Sequence, residues 1–120
     1  MSEQPPRPPL SQATLAEAIA AFDAGNHAWG RFRHFVLPTA PAALAVSTAS
    51  VREALSEAAI CVPDTRPGEH QALLAALRQT RERLDAYAAA LPAAVPRTEL
   101  DQAAEDFGEA IALLEGQGAA

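Results

Sequence analysis

Gly25-Asn26-His27-Ala28-Trp29-Gly30-Arg31-Phe32-Arg33-His34-Phe35-Val36-Leu37, closed by Pro38, either continues a helix or ends one, and that choice sets the number of helices in the chain. Upstream, behind a Ser11 N-cap, apolar or small residues recur at Leu15, Ala18, Ile19 and Phe22. The same steps of three and four continue through Gly25, Trp29, Phe32 and Val36, which describes one face of a helix of about 25 residues. Against continuity, Gly followed by Asn is a common helix-ending pair, because Gly enters the left-handed region without steric cost. Gly25, Asn26 and Gly30 together sacrifice ~2 to 3 kcal/mol of helix propensity, an amount that tertiary packing can offset. The reading adopted is one helix, bent at Gly25 if anywhere, with Pro38 ending it; a break at Gly25 gives five helices.

The segment from His27 to Leu37 also holds the only Trp, two of the four Phe, two of the three His and two of the nine Arg. Thirty of the 120 residues are Ala, the best helix former, whereas strand-favouring residues are sparse. An all-α fold follows. Apolar residues are 49% of the chain, enough for one core in one domain of this length. Residues 1–10 carry four Pro and read as a disordered Pro-rich tail, residues 11–116 as the helical bundle domain, and residues 117–120 as a second short tail.

Three further helices read from the pattern. Thr39 with Pro41 starts the second, whose inner stripe is Leu44, Thr48, Val51, Leu55, Ala58 and Val62; Ser50 with Glu53 is a capping-box pattern that offers a later start. The turn Pro63-Asp64-Thr65-Arg66-Pro67-Gly68 leads to a third helix ending near Leu91, with His70, Leu73, Leu77, Thr80, Leu84, Tyr87 and Leu91 inward. Its outer face offers Arg78 to Glu82 and Arg81 to Asp85 across single turns. Thr98 with Asp101 reads as the start of the fourth, with Leu100, Ala104, Phe107, Ile111 and Leu114 inward and Gly116 as its stop. Helices of about 25, 22, 25 and 18 residues with short connections imply an up-down-up-down antiparallel four-helix bundle.

The charge balance limits function. A formal net charge of -6 and a pI near 4.9 remove the general attraction to nucleic acid or anionic lipid. The longest apolar-looking run, residues 40–62, contains Arg52, Glu53 and Glu57, which argues against a membrane span. There is no Lys, so Schiff-base chemistry is excluded. The single Cys61 cannot form an internal disulfide and the N-terminus has no secretory apolar core, so a cytoplasmic protein is expected.

Chemistry-bearing residues gather on the first helix. Asp23, His27 and His34 share a narrow sector beside Gly30 and form a partial metal-ligand set, but no Glu-x-x-His stands on another helix to complete it. The blander reading, a polar flank, is preferred, and no metal or cofactor is expected. Histidine phosphotransfer domains are acidic four-helix bundles of this length that present a His, then a basic residue, then Gly one turn on. His27-Ala28-Trp29-Gly30-Arg31 is similar in residue types, but Gly30 precedes Arg31 and the His lies on the first helix. That resemblance implies a phosphoryl carrier at His27.

Trp29, Arg31, Arg33, His34 and Phe35 are the candidate partner-binding residues, an apolar anchor with a cationic rim. With Trp29 at zero, Phe32 lies about 300° round the helix and Phe35 about 240°, so Phe35 falls near the edge of any single core-facing stripe. The competing use of the arginines is internal: helix four carries Glu99, Asp101, Glu105, Asp106, Glu109 and Glu115, and its first half lies beside the last half of helix one in this topology. No nucleophile elbow, phosphate loop or base for Cys61 is present. The expected function is therefore a non-enzymatic bundle that binds a protein partner or forms a homodimer; a small-ligand or metal-binding bundle is the alternative.

Overall fold

Ser11 caps the first helix with its side chain: Oγ accepts the Thr14 N–H at 3.0 Å. The structure, a computed structural model, describes residues 10–39 and 48–116. Helix α1 runs Gln12–Arg31, passing Gly25 and Gly30 without a break, so the four-helix count holds. The departure from α geometry comes later. Phe32–Val36 is a π-helical turn, in which the Leu37 N–H donates to the Phe32 carbonyl five residues back, and Leu37–Thr39 tightens into a 3-10 turn. Pro38 supplies the reason: in a regular helix its ring meets the carbonyl of His34, and it has no N–H to give. A π turn contains one extra residue, which sets the side chains after it back by about 100°.

Helix α2 is Ala49–Cys61. Its first helical residue lies beside the later start offered by Ser50 and Glu53, but Ser50 is inside the helix and Thr48 precedes it without a side-chain cap. The expected start at Thr39 and Pro41, with Leu44, involves residues 40–47, which lie outside the described residues, as do the tail residues 1–9 and 117–120. A 3-10 turn, Val62–Asp64, follows, where the Thr65 hydroxyl donates to the Cys61 carbonyl at 2.7 Å. Gly68, with φ at +85°, closes the turn in which the Glu69 N–H donates to the Arg66 carbonyl at 2.9 Å.

Helix α3 is Gln71–Ala90 and α4 is Thr98–Glu115, ended by Gly116 in the left-handed region at φ +77°. Thr98 is not the cap of α4. That position belongs to Arg97, and no side chain caps the helix there. The Arg97 guanidinium turns back instead and donates to carbonyls ending α3, at 3.2 Å to Ala88 and 2.6 Å to Leu91. A cation is unfavourable at a helix N-terminus and favourable at a C-terminus, so this one side chain serves the preceding helix.

The tightest helix pairs are α1 with α4, α2 with α3, and α3 with α4. Arg31 meets Glu99 at one end and His70 Nε2 donates to the Leu114 carbonyl at the other at 2.9 Å, so α4 runs antiparallel to both α1 and α3. Arg83, in mid-α3, donates to the Ser50 carbonyl at the start of α2. The result is the up-down-up-down antiparallel bundle, and among the described residues no strand forms.

Inward positions follow the sequence stripes closely. Leu15, Ala18, Phe22, Trp29 and Phe32 of α1 and its π turn meet Leu73, Leu77, Leu84 and Tyr87 of α3 and Leu100, Phe107 and Leu114 of α4. Ala21, Ala28, Ala103 and Ala110 are buried as well, and small residues at these positions let helix axes approach closely. Ile111 and Ala104, expected inward, are half-buried flanks.

Candidate functional site

The aromatic segment separates into an inner and an outer part. Trp29, 2% exposed, stacks on Phe32 with ring centroids 5.9 Å apart, and Tyr87 of α3 meets both edge-on at 5.4 and 6.0 Å. Trp29 is therefore core, a correction to its place in the candidate partner-binding set, and its fluorescence reports the packing of α1 on α3. Neither Trp29 Nε1 nor the Tyr87 hydroxyl has a hydrogen-bond partner among the described residues. Burial pushes the Tyr87 phenol above its ordinary value of about 10.

Three residues later, in the π turn, a ring faces the other way. Phe35 is 73% exposed, and among the described residues its ring neighbour is the adjacent His34, centroids 6.5 Å apart. In uninterrupted α geometry Phe35 would stand near the edge of the core stripe. Within the π turn it stands clear of the core.

Arg31 is taken by the fold: its Nε donates to Glu99 at 2.8 Å, the intramolecular pairing that the topology implied. Arg33 is half-buried and makes no ion pair among the described residues, and His34 is exposed beside Phe35. The five candidates therefore divide into one core ring, one structural ion pair, and a surface group of Arg33, His34 and Phe35. On the outer face of α3, Arg81 pairs with Asp85 at 3.6 Å, but Arg78 bonds Glu115 of α4 rather than Glu82.

Asp23 and His27 are exposed on α1 with His34 beyond them, and among the described residues no group of three His, Cys, Asp or Glu side chains is placed to hold a metal ion. A Cβ on Gly30 would meet no atom within 4 Å, so the surface beside His27 is open.

A second surface feature was not singled out in the sequence. Ile60, near the end of α2, is 72% exposed and borders an open groove of about 370 Å³ between α2 and α3. Ala72, Ala75 and Ala76 form the α3 side, Cys61 adds to the α2 side, and Glu57 and Gln79 are polar members of the lining. The signal was present in the period: Ile60 falls between Ala58 and Val62 and belongs to neither side of the buried stripe of α2.

Among the described residues no helix is long and apolar enough to cross a membrane. The fold and surface define an all-α antiparallel bundle whose exposed large apolar side chains, among the described residues, are Phe35 and Ile60. No protein-family model, curated protein or solved structure matches the chain.

Proposed function

We propose that this protein is a cytoplasmic, non-enzymatic bundle that acts by binding another protein or a second copy of itself through the Phe35 end of α1. The observation that carries the reading is the 73% exposure of Phe35, in a π turn directly after a helix whose rings are packed. A largely exposed ring beside Arg33 and His34 combines an aromatic anchor with a cationic neighbour, the composition favoured at interface centres. A net charge of -6 directs the reading toward protein rather than nucleic acid.

Replacing Phe35 with Ala removes the anchor without opening the core. The variant is expected to keep its helicity and melting temperature while sedimenting as a smaller species, or losing a partner that the native protein captures. A native protein that is monomeric at every concentration and whose captured partners are the same with and without Phe35 would overturn the reading.

A further inference from the structure

We infer that the chain assembles head to tail, with Phe35 of one copy seated in the α2–α3 groove beside Ile60 of the next. This deepens the reading of Phe35 as an anchor and rests on it. Phe35 and Ile60 are the exposed large apolar side chains among the described residues, and they stand at opposite ends of the bundle. Phe35 follows the end of α1, where Arg31 meets the start of α4 at Glu99. Ile60 lies at the end of α2, against the start of α3, where His70 meets the end of α4 at Leu114. The fifteen residues from Glu99 to Leu114 put about 22 Å between these two ends along α4.

The charges around the two anchors are opposite. No acidic residue occurs from position 24 to position 52, a stretch that holds Arg31, Arg33 and Arg52 with His27 and His34. The nearby Glu99 carboxylate is engaged by Arg31, and Arg33 has no acidic partner among the described residues. Around Ile60 the order is reversed: residues 54–65 contain Glu57 and Asp64 and no base. Glu57, on the groove, has no ion pair among the described residues.

These facts select the mode of contact. A two-fold dimer through either end gives Arg33 no Glu57 and Glu57 no Arg33 from the other copy. Joining unlike ends pairs Arg33 with Glu57 and seats a Phe ring among alanines. A groove of about 370 Å³ is at the small end of the ~300 to 1,000 Å³ range of ligand clefts and accommodates one aromatic side chain. Because the two surfaces differ, each copy retains one unused end, so assembly continues beyond two unless the rotation closes a ring.

The test uses the full chain with Phe35→Ala, Ala75→Trp to fill the exposed groove, and Arg33→Glu alone or with Glu57→Arg, all checked for helicity by circular dichroism. In sedimentation velocity the native protein should form species larger than a dimer as concentration rises, and added salt should reduce them. Phe35→Ala and Ala75→Trp should each be monomeric, yet an equimolar mixture should give a discrete two-chain species, since each supplies the end that the other lacks. Arg33→Glu should weaken assembly on the order of tenfold or more, and Glu57→Arg in the same chain should restore it. Cys61, on the groove, gives an independent readout: its alkylation should slow as native protein is concentrated but not when Phe35→Ala protein is. A dimer lost in Phe35→Ala but retained in Ala75→Trp overturns head-to-tail assembly while leaving Phe35 an anchor. A native protein monomeric throughout, with Cys61 alkylated equally fast at all concentrations, also overturns it and leaves Phe35 to a different protein partner. Unfolding of Ala75→Trp transfers the decision to the charge-reversal pair, where failure of Glu57→Arg to restore assembly overturns the inference.

Discussion

The ring of Phe107 lies on the backbone of Gly25: a Cβ added there would stand 2.5 Å from Cε1 and 2.7 Å from Cδ1. Gly25 is thus the seat for the largest buried ring of α4, which also meets Phe22 with centroids 6.0 Å apart. In most helix interiors Gly→Ala gains about 0.8 to 1 kcal/mol of propensity. Gly25→Ala should instead lose about 1 to 3 kcal/mol, because Phe107 or the α1–α4 spacing must yield. Gly30→Ala is the internal control, with nothing within 4 Å of the added Cβ, and should gain on the propensity scale. Urea unfolding of the two variants should move in opposite directions.

Gly25 also marks the limit of what the sequence disclosed. The period through Leu15, Phe22, Trp29 and Phe32 was strong enough to show that α1 continues past Gly25, and the inward faces of α3 and α4 were legible for the same reason. Gly25-Asn26 is locally identical whether it ends a helix or admits a ring from a residue 82 positions later, so its role could not be read locally. The π turn was hidden likewise. A one-residue change of register leaves composition and spacing intact, and within that turn Phe35 faces solvent whereas Phe32 does not. Arg31 with Glu99 was foreseeable from topology and opposite charge; Ile60 was overlooked because one apolar residue off a stripe is ordinary on a surface.

Leu77, Leu84 and Phe107 are at most 1% exposed at the centre of the bundle. Truncating any one of them to Ala should cost ~2 to 5 kcal/mol through lost transfer energy and the cavity left behind. Ile111→Ala should fall below that range, since Ile111 is a half-buried flank. Equal losses at all four sites in chemical denaturation would mean that Ile111 is packed as centrally as Leu77.

Arg97 should matter more than an arginine in a connection ordinarily does. Its guanidinium donates to the Leu91 carbonyl just past the end of α3, joins the Leu91 N–H on the Ala88 carbonyl, and also approaches the Val95 carbonyl at 3.3 Å. Arg97→Ala should cost about 1 to 3 kcal/mol, in the range for hydrogen bonds involving a charged group. Arg97→Lys should recover only part, because an ammonium lacks the planar fork that spans several acceptors. Faster amide exchange in Ala88–Leu91 than at the centre of α3 should accompany the loss; unchanged exchange there would remove the capping role.

Tyr87 provides a pH dependence with a definite sign. Its hydroxyl is buried without a partner among the described residues, and its pKa is raised by desolvation of the charged form. The unfolded chain therefore ionises first, near pH 10, while the folded chain still holds the proton. Stability contributed by the neutral phenol is complete below that pH and is lost as pH rises through the folded value. Tyr87 is the only Tyr and there is no Lys, so few other groups titrate in this window. At pH 7 Tyr87→Phe should be neutral or slightly stabilising, since it deletes a hydroxyl that bonds to nothing. Above about pH 10 the Phe variant should become progressively more stable than the native protein. Urea unfolding at pH 7, 9, 10 and 11 separates the outcomes: curves that stay parallel across the range would mean that the Tyr87 phenol ionises as readily in the folded bundle as in the open chain.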